Sequence, residues 1–261
     1  MTKSATREAA DKATFTQAEV TAGDTAARAG RKNLIINGRL GSDTMVNQRG
    51  FTSGTLADDA YGFDRWMSKS GASSITLNAS NITLTSGKLV QIIENPFISG
   101  ESVTVSASVS SGTLTGRLGT TDAFQTLPFT TTASSGDIRL ELVGNGSVFT
   151  DVQLELGSVA TDFEHRSYGE ELQLCQRYYS ETGVSIQGYQ GAGNYASESL
   201  NWPQTMRAAP SVSLVSGPQQ SNITSTGSHN VTASGCRVEI IASGAGRAFH
   251  LGAISKADAE L

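Results

Sequence analysis

The sequence is short of positive charge, which excludes one large class of partner. Its 19 Lys and Arg residues are dispersed along the chain and outnumbered by 24 Asp and Glu residues, giving a net charge of −5. Proteins that bind nucleic acid usually concentrate basic residues in a patch or stripe that neutralises a run of phosphates. The sequence contains no such stripe, so nucleic acid is not an expected partner.

Cysteine and long apolar runs are also scarce. Cys175 and Cys236 are the only cysteines in the sequence, too few for a disulfide scaffold, and we expect both thiols to be reduced and buried. No apolar run is long enough to cross a bilayer, and the polar start MTKSATREAADKATF lacks the apolar core of a secretory signal. We therefore expect a protein made in a cytoplasm, without membrane insertion.

What the sequence does contain is typical of β-structure. Charged residues make up only 16% of the chain and glycine occurs 28 times, while Ser, Thr and Asn fill the positions between short apolar runs. Few sequences of this composition form long helices. The length of 261 residues is enough for two domains of ordinary size. The sequence therefore predicts a mainly β protein with two modules.

Residues 1–32 have almost no large apolar side chains. Such a segment buries too little apolar surface to offset the entropy of ordering the chain. We therefore expect an extended N-terminal arm over residues 1–32 that attaches to a neighbouring protein.

Residues 33–166 contain short segments in which apolar residues occur at every second position. The clearest runs are Val103, Val105, Ala107 and Val109; Ile138, Leu140 and Leu142; and Val152, Leu154 and Leu156. A period of two places one face of a strand on a core and the other in water, as in antiparallel sheets. Glycine- and serine-rich segments between the runs supply turns. The pattern predicts a β-sandwich of the jelly-roll kind.

Residues 167–180 carry the one convincing helix signal outside the arm. Ser167 and Glu170 match a capping box. The residues that recur at spacings of four, three and four, and so form one apolar stripe, are Tyr168, Leu172, Cys175 and Tyr179. Two readings stay open: the stripe packs on its own domain, or three copies of it meet on a threefold axis.

Residues 181–261 return to short alternating segments with glycine-rich connections, and they predict a second, smaller β module. A module of this size with few large apolar side chains has a marginal core by itself. Oligomerisation would bury the apolar faces that a single copy leaves exposed to solvent. We therefore expect a homotrimer.

Several blocks of the sequence resemble modules of bacteriophage fibre and virion appendage proteins. The blocks that resemble the start of their carbohydrate-binding-like jelly rolls are NLIINGRL (33–40), NQRG (47–50) and YGFDRW (61–66). The stretch VQLELGSVATDFEHRSYGEELQLCQRYY (152–179) resembles the segment with which those modules end. MRAAPSV (206–212) and ADAEL (257–261) are similar to the C-terminal domains that follow in such fibres.

This resemblance implies a virion component, commonly a homotrimer, whose usual task is to bind a glycan on the bacterial surface. It leaves residues 1–32 unassigned, and we expect this arm to contact other virion proteins. The resemblance also implies a protein that is made in the host cytoplasm and located in the virion. Family modules of this type often carry a structural calcium ion, but NGRL offers no carboxylate beside the first strand. We therefore predict no metal and no cofactor.

Four aromatic residues are candidates for glycan contact. Trp66 has a flat face for stacking on a sugar, although a lone Trp at the start of a strand is more often core. Tyr189, Tyr195 and Trp202 lie in the glycine-rich stretch GYQGAGNYASESLNW and are the preferred receptor surface; the alternative is that they fill a trimer interface. His229, Arg247 and His250 are candidates for added hydrogen bonds or pH sensitivity.

The sequence does not favour an enzyme. Glycosidases hold two carboxylates across the scissile bond at about 5–9.5 Å, and no spacing selects such a pair from Asp58, Asp59, Asp64, Glu94 and Glu101. No nucleophile elbow or phosphate-binding loop is present in the sequence. We predict a non-enzymatic tail fibre or receptor-binding appendage; the alternatives are a capsid head fibre or decoration protein and, less favoured, a depolymerase.

Overall fold

A computed structural model describes residues 31–215 and 219–260. Nearly all of the arm predicted for residues 1–32 lies outside these residues. Within them, strands account for 52% and helix for 4%, which confirms the mainly β prediction. None of the described residues belongs to a helix long and apolar enough to cross a membrane.

The chain divides into two compact units. The described residues of unit 1 are 31–45, 52–60 and 66–165, and those of unit 2 are 46–51, 61–65 and the described part of 166–261. The predicted modules were contiguous, with a boundary after residue 166. The structure instead places two short segments from the first half of the chain in unit 2, together with the helix.

The described residues of unit 1 form eleven strands in two antiparallel sheets, an arrangement consistent with a β-sandwich. The strands are β1 (Gly54–Leu56), β2 (Met67–Ser68), β3 (Ser73–Leu77), β4 (Ile82–Ser86), β5 (Lys88–Ile93), β6 (Ser102–Ser111), β7 (Leu114–Leu118), β8 (Gln125–Thr126), β9 (Phe129–Thr132), β10 (Ile138–Gly144) and β11 (Ser147–Leu156). One sheet has the order β1-β3-β4-β11-β6-β9 and the other β2-β5-β10-β7-β8.

Alternation in sequence builds the core of unit 1. Ile138, Leu140 and Leu142 on β10 have no exposed surface, and neither do Val152 and Leu154 on β11. Fully burying a side chain of this size contributes about 1.5–3 kcal/mol. These runs therefore supply much of the burial that holds the two sheets in one unit.

Unit 2 contains one helix and seven strands among its described residues. They are α1 (Tyr168–Gln176), β12 (Tyr179–Gln190), β13 (Tyr195–Asn201), β14 (Ser211–Val215), β15 (Gln219–Ser221), β16 (Ile223–Thr232), β17 (Gly235–Ala242) and β18 (Gly246–Asp258). One sheet has the order β12-β18-β14, with β15 also paired to β18, and the other has the order β13-β17-β16.

The core of unit 2 is built largely from small side chains. Its buried members include Ala196, Ala248, Ala253 and Ala257. A Cβ atom added at Gly188 on β12 would lie 2.9 Å from the Cβ atom of Ala196 on β13. The two sheets therefore approach closely at this point, and a larger residue at position 188 would force them apart.

The helix begins where the sequence predicts. Ser167 is the N-cap, its side chain accepts a hydrogen bond from the amide of Glu170, and the Glu170 side chain accepts one from the amide of Ser167. This reciprocal pair satisfies donors that the first helical turn leaves without partners. The helix ends at Gln176, so Tyr179 lies on β12 and does not extend the predicted helical stripe.

A buried ionic cluster holds the short segments 46–51 and 61–65 to the C-terminal strand of unit 2. The Arg49 guanidinium lies 3.8 Å from the ring centroid of Tyr179 and donates to Asp258 at 3.0 Å and to Glu260 at 3.5 Å. Arg65 also forms an ion pair with Glu260. Because these partners are distant in sequence, the cluster fixes the path of the chain in unit 2.

Asp64 belongs to the same cluster and is held by Gln48. The Gln48 backbone amide donates to Asp64 at 2.6 Å and its side-chain amide donates at 2.8 Å. Burial raises the pKa of Asp64 even though these hydrogen bonds favour the charged form. Burial likewise raises the pKa of Glu260, against the opposing charges of Arg65 and Arg49.

Candidate functional site

The outward face of β12 and β18 carries an exposed group of aromatic and polar side chains. In the antiparallel register Tyr189 is opposite Arg247, and Gln187 is opposite Phe249. Residues two apart on a strand point to the same side, so the four side chains share one face. We call this group the Tyr189 platform: Gln187, Tyr189, Arg247 and Phe249.

The Tyr189 platform is open to solvent and internally organised. Tyr189 is 86% exposed. Arg247 Nη2 donates to Gln187 Oε1 at 2.7 Å, and the Arg247 guanidinium lies 5.0 Å from the Phe249 ring centroid. These two contacts orient the guanidinium, while the Tyr189 ring stays accessible beside it.

The opposite face of the same strands is buried and supports the platform. Ala248 and His250 alternate with Arg247 and Phe249 along β18 and are almost completely buried. β18 pairs with β12 along the platform, and on its other edge it pairs with β15 at residues 249–251 and with β14 at residues 254–258. The platform is therefore built on an antiparallel strand pair whose other face is buried.

The chemistry of the platform suits a ligand with both an apolar face and hydroxyl groups. A tyrosine ring can stack on the C–H face of a sugar, and its hydroxyl can donate or accept a hydrogen bond. A guanidinium has five N–H donors, and the glutamine amide offers both donors and an acceptor. None of these four side chains is a carboxylate.

Tyr195 is also exposed, but it lies on the other sheet of unit 2. It is 56% exposed, and the Arg237 guanidinium lies 5.7 Å from its ring centroid. On the same outward face, Glu239 is 2.6 Å from His229 Nε2 and 3.4 Å from Arg237. Tyr189 and Tyr195 therefore lie on different sheets and do not form one binding surface.

The two tryptophans predicted as ligand contacts are core residues, and this part of the site prediction is wrong. Trp66 has no exposed surface, and its indole N–H donates to the Asn37 carbonyl at 2.9 Å. Trp202 is 6% exposed, and its indole N–H donates to the Thr232 carbonyl at 3.1 Å. A ring without an open face cannot stack on a sugar.

The four residues predicted for oligomerisation fall into two groups. Cys175 and Tyr179 are buried within unit 2, and burial raises the pKa of the Cys175 thiol well above its usual value. Both side chains thus follow the reading in which the stripe packs on its own domain. Tyr168 is exposed and Leu172 is half-buried, so only these two remain available to another copy of the chain.

Gln187 and Phe249 were not singled out from the sequence. Alternation places Gln187 and Tyr189 on one face of β12, and that signal was readable. The sequence does not show that Phe249 and Arg247 share this face, because a one-residue change in the register between β12 and β18 would turn those side chains to the other face.

No group of three His, Cys, Asp or Glu residues in the described part of the chain is arranged to hold a metal ion. Comparisons with protein-family models, with curated proteins and with solved structures give no match.

Proposed function

We propose that this chain is a non-enzymatic structural fibre protein of a bacteriophage virion, which adsorbs to a glycan on the bacterial surface through the Tyr189 platform. The observation that carries the proposal is the exposed Tyr189 ring beside the oriented guanidinium of Arg247. A large exposed aromatic side chain on a paired strand has no role in the core of its own chain, and it matches what a sugar ring requires.

The two sheets of unit 1 support the finer part of the fold proposal. Strands next to each other in sequence often belong to different sheets, as β4 and β5 do, or β10 and β11. This alternation is expected of a jelly roll. We assign unit 1 to that fold, and we assign residues 1–32 to attachment on the virion.

The homotrimer is the second element of the proposal. Unit 2 has a core rich in alanine, and it leaves Tyr168 exposed and Leu172 half-buried on α1. Contact with sister chains at this helix would add the burial that a small module lacks. Three platforms per fibre would also turn weak individual sites into strong adsorption, because linked sites bind at a high effective concentration.

Adsorption to cells tests the proposal. We expect the fluorescently labelled protein to coat host cells, and purified host surface polysaccharide to displace it. Incubation with that polysaccharide should release no new reducing ends. If the folded protein binds neither cells nor polysaccharide, the binding function is refuted. Release of reducing ends would refute the non-enzymatic assignment.

The alternative, a capsid head fibre or decoration protein, is separated by location on the particle. Immunogold labelling or cryo-EM of intact virions should show this protein on the tail. Density on the capsid would favour the alternative, in which glycan binding is incidental.

A further inference from the structure

Three positively charged side chains and one carboxylate meet on the outward face of the five-stranded sheet of unit 1. On β10 the alternation turns Ile138 and Leu140 into the core and turns Arg139 and Glu141 outward. Arg117 on β7 is directly opposite Glu141 in the register. Lys88, at the start of β5, lies within ion-pair distance of the same carboxylate.

Glu141 is surrounded by these cations. Arg117 donates to Glu141 Oε2 from Nε at 3.0 Å and from Nη2 at 2.9 Å. Arg139 Nη2 lies 2.6 Å from Oε1, and Lys88 Nζ lies 3.5 Å from Oε2. The Glu141 side chain is 1% exposed, and both of its carboxylate oxygens already contact these cations.

The charges of this cluster do not balance. Three cationic groups face one carboxylate, and one cation would be enough to neutralise it. The cationic side chains are partly shielded from water, and partly desolvated charge is costly without a partner. Lys88 makes the longest of the contacts, and an ammonium group has three donors, so it has capacity for an additional acceptor.

An aromatic ring borders the same cluster. Phe124 is partly exposed, and its ring centroid lies 4.5 Å from the Arg117 guanidinium and 5.6 Å from Lys88 Nζ. The loop that carries it is tethered, because Arg117 Nη1 donates to the Asp122 carbonyl at 3.2 Å. An apolar ring is therefore held next to an excess of positive charge.

We propose that Lys88, Arg117, Arg139 and Phe124 form a second ligand site, one that binds a sugar residue bearing an acidic group. The carboxylate or phosphate of the sugar is held by the ammonium group of Lys88 and the guanidinium group of Arg139, and the sugar ring packs against Phe124. This site is on unit 1 and uses no residue of the Tyr189 platform. The proposal for this site is therefore tested independently of the proposed receptor site.

Ligand-observed saturation-transfer NMR on the full chain tests the site, with D-glucuronate, D-glucose 6-phosphate and D-glucose as probes. We expect at least one acidic probe to bind, with an affinity that falls as salt is added, and D-glucose to bind at least about fivefold more weakly than that probe. Binding of glucuronate alone, or of the phosphate alone, identifies the acidic group. Failure of both acidic probes overturns the proposal, and so does tighter binding of a short single-stranded oligonucleotide.

Two variants locate the binding. Lys88→Gln removes one positive charge and Phe124→Ala removes the ring; each should weaken the acidic probe about fivefold or more. Lys69→Gln, which removes a half-buried lysine of the same unit that pairs with Asp59, is the matched control and should leave binding unchanged. Equal loss in Lys69→Gln, or full binding in both Lys88→Gln and Phe124→Ala, would overturn the proposal.

Discussion

Tyr189 and Arg247 face each other across β12 and β18, with their side chains on the exposed side of the sheet. The Arg247 guanidinium is held by Gln187 at 2.7 Å, so less side-chain entropy is lost when it meets a ligand. A flat ring next to a pre-oriented set of donors is the feature of unit 2 from which the binding proposal follows.

Replacing Tyr189 by Ala should weaken adsorption to host polysaccharide about tenfold, because stacking on one ring contributes roughly 1–1.5 kcal/mol. The melting temperature should stay unchanged, since the side chain is 86% exposed. Biolayer interferometry on immobilised polysaccharide measures the affinity. The matched control is Tyr195→Ala, which replaces an exposed tyrosine on the other sheet. An equal loss of affinity in the two variants would show that the Tyr189 platform is not the binding site.

Replacing Trp202 by Phe should destabilise the protein without a specific effect on ligand affinity. The change removes the donor to the Thr232 carbonyl and leaves unfilled volume in the core of unit 2, and together these cost about 1–3 kcal/mol. Urea unfolding gives the free energy, with Tyr189→Phe as a control expected to be neutral. If the Trp202→Phe protein is stable but no longer adsorbs to polysaccharide, Trp202 is a ligand contact and this prediction is wrong.

Replacing Leu172 by Asp should convert the proposed trimer into monomers. In a trimer assembled through α1, the change would bury three carboxylates without partners. Light scattering after size-exclusion chromatography measures the mass, which should be three chains for the wild type. Gln173→Asp adds the same charge at an exposed neighbour and should remain trimeric. A trimeric Leu172→Asp protein would show that α1 lies away from the interface.

Replacing Glu260 by Ala should cost about 3–5 kcal/mol in the free energy of unfolding, because it leaves buried guanidinium groups without their carboxylate. The comparison is Lys69→Ala, which breaks the more exposed pair with Asp59 and should cost no more than about 1 kcal/mol. Urea unfolding measures both. Equal effects would mean that the ionic cluster does not hold the segments of unit 2 together.

The same cluster should give an unusual pH dependence. Burial raises the folded-state pKa of Glu260 above its unfolded value, so the folded protein binds this proton more tightly. The resulting stabilisation is complete below the unfolded pKa and is lost as pH rises through the folded pKa. The free energy of unfolding of the wild type, relative to Glu260→Gln, should therefore increase as pH falls from about 7 to about 4. A difference that shrinks on acidification would contradict the burial effect.

The sequence predicted what depends on local patterns. The start of α1 at Ser167 follows from a capping box, and β10 follows from alternation at Ile138, Leu140 and Leu142. The end of the same helix did not follow, because Tyr179 continues the helical spacing although it lies on β12. Spacing alone does not show where tertiary contacts stop a helix.

The local sequence pattern does not predict which residues contact each other in the tertiary structure. Arg49 and Arg65 both contact Glu260 at the far end of the chain, and no local pattern in the sequence indicates these contacts. Tyr189 and Trp202 looked equivalent within one glycine-rich stretch, yet one is exposed and the other is core. Strand register and sheet packing decide both outcomes.

The structure of the protein in complex with an oligosaccharide released from the host surface polysaccharide tests the central claim most directly. The account predicts a sugar ring stacked on Tyr189 with a hydroxyl or carboxylate hydrogen-bonded to Arg247. A saccharide bound elsewhere on unit 2, with the Tyr189 ring left bare, would contradict it.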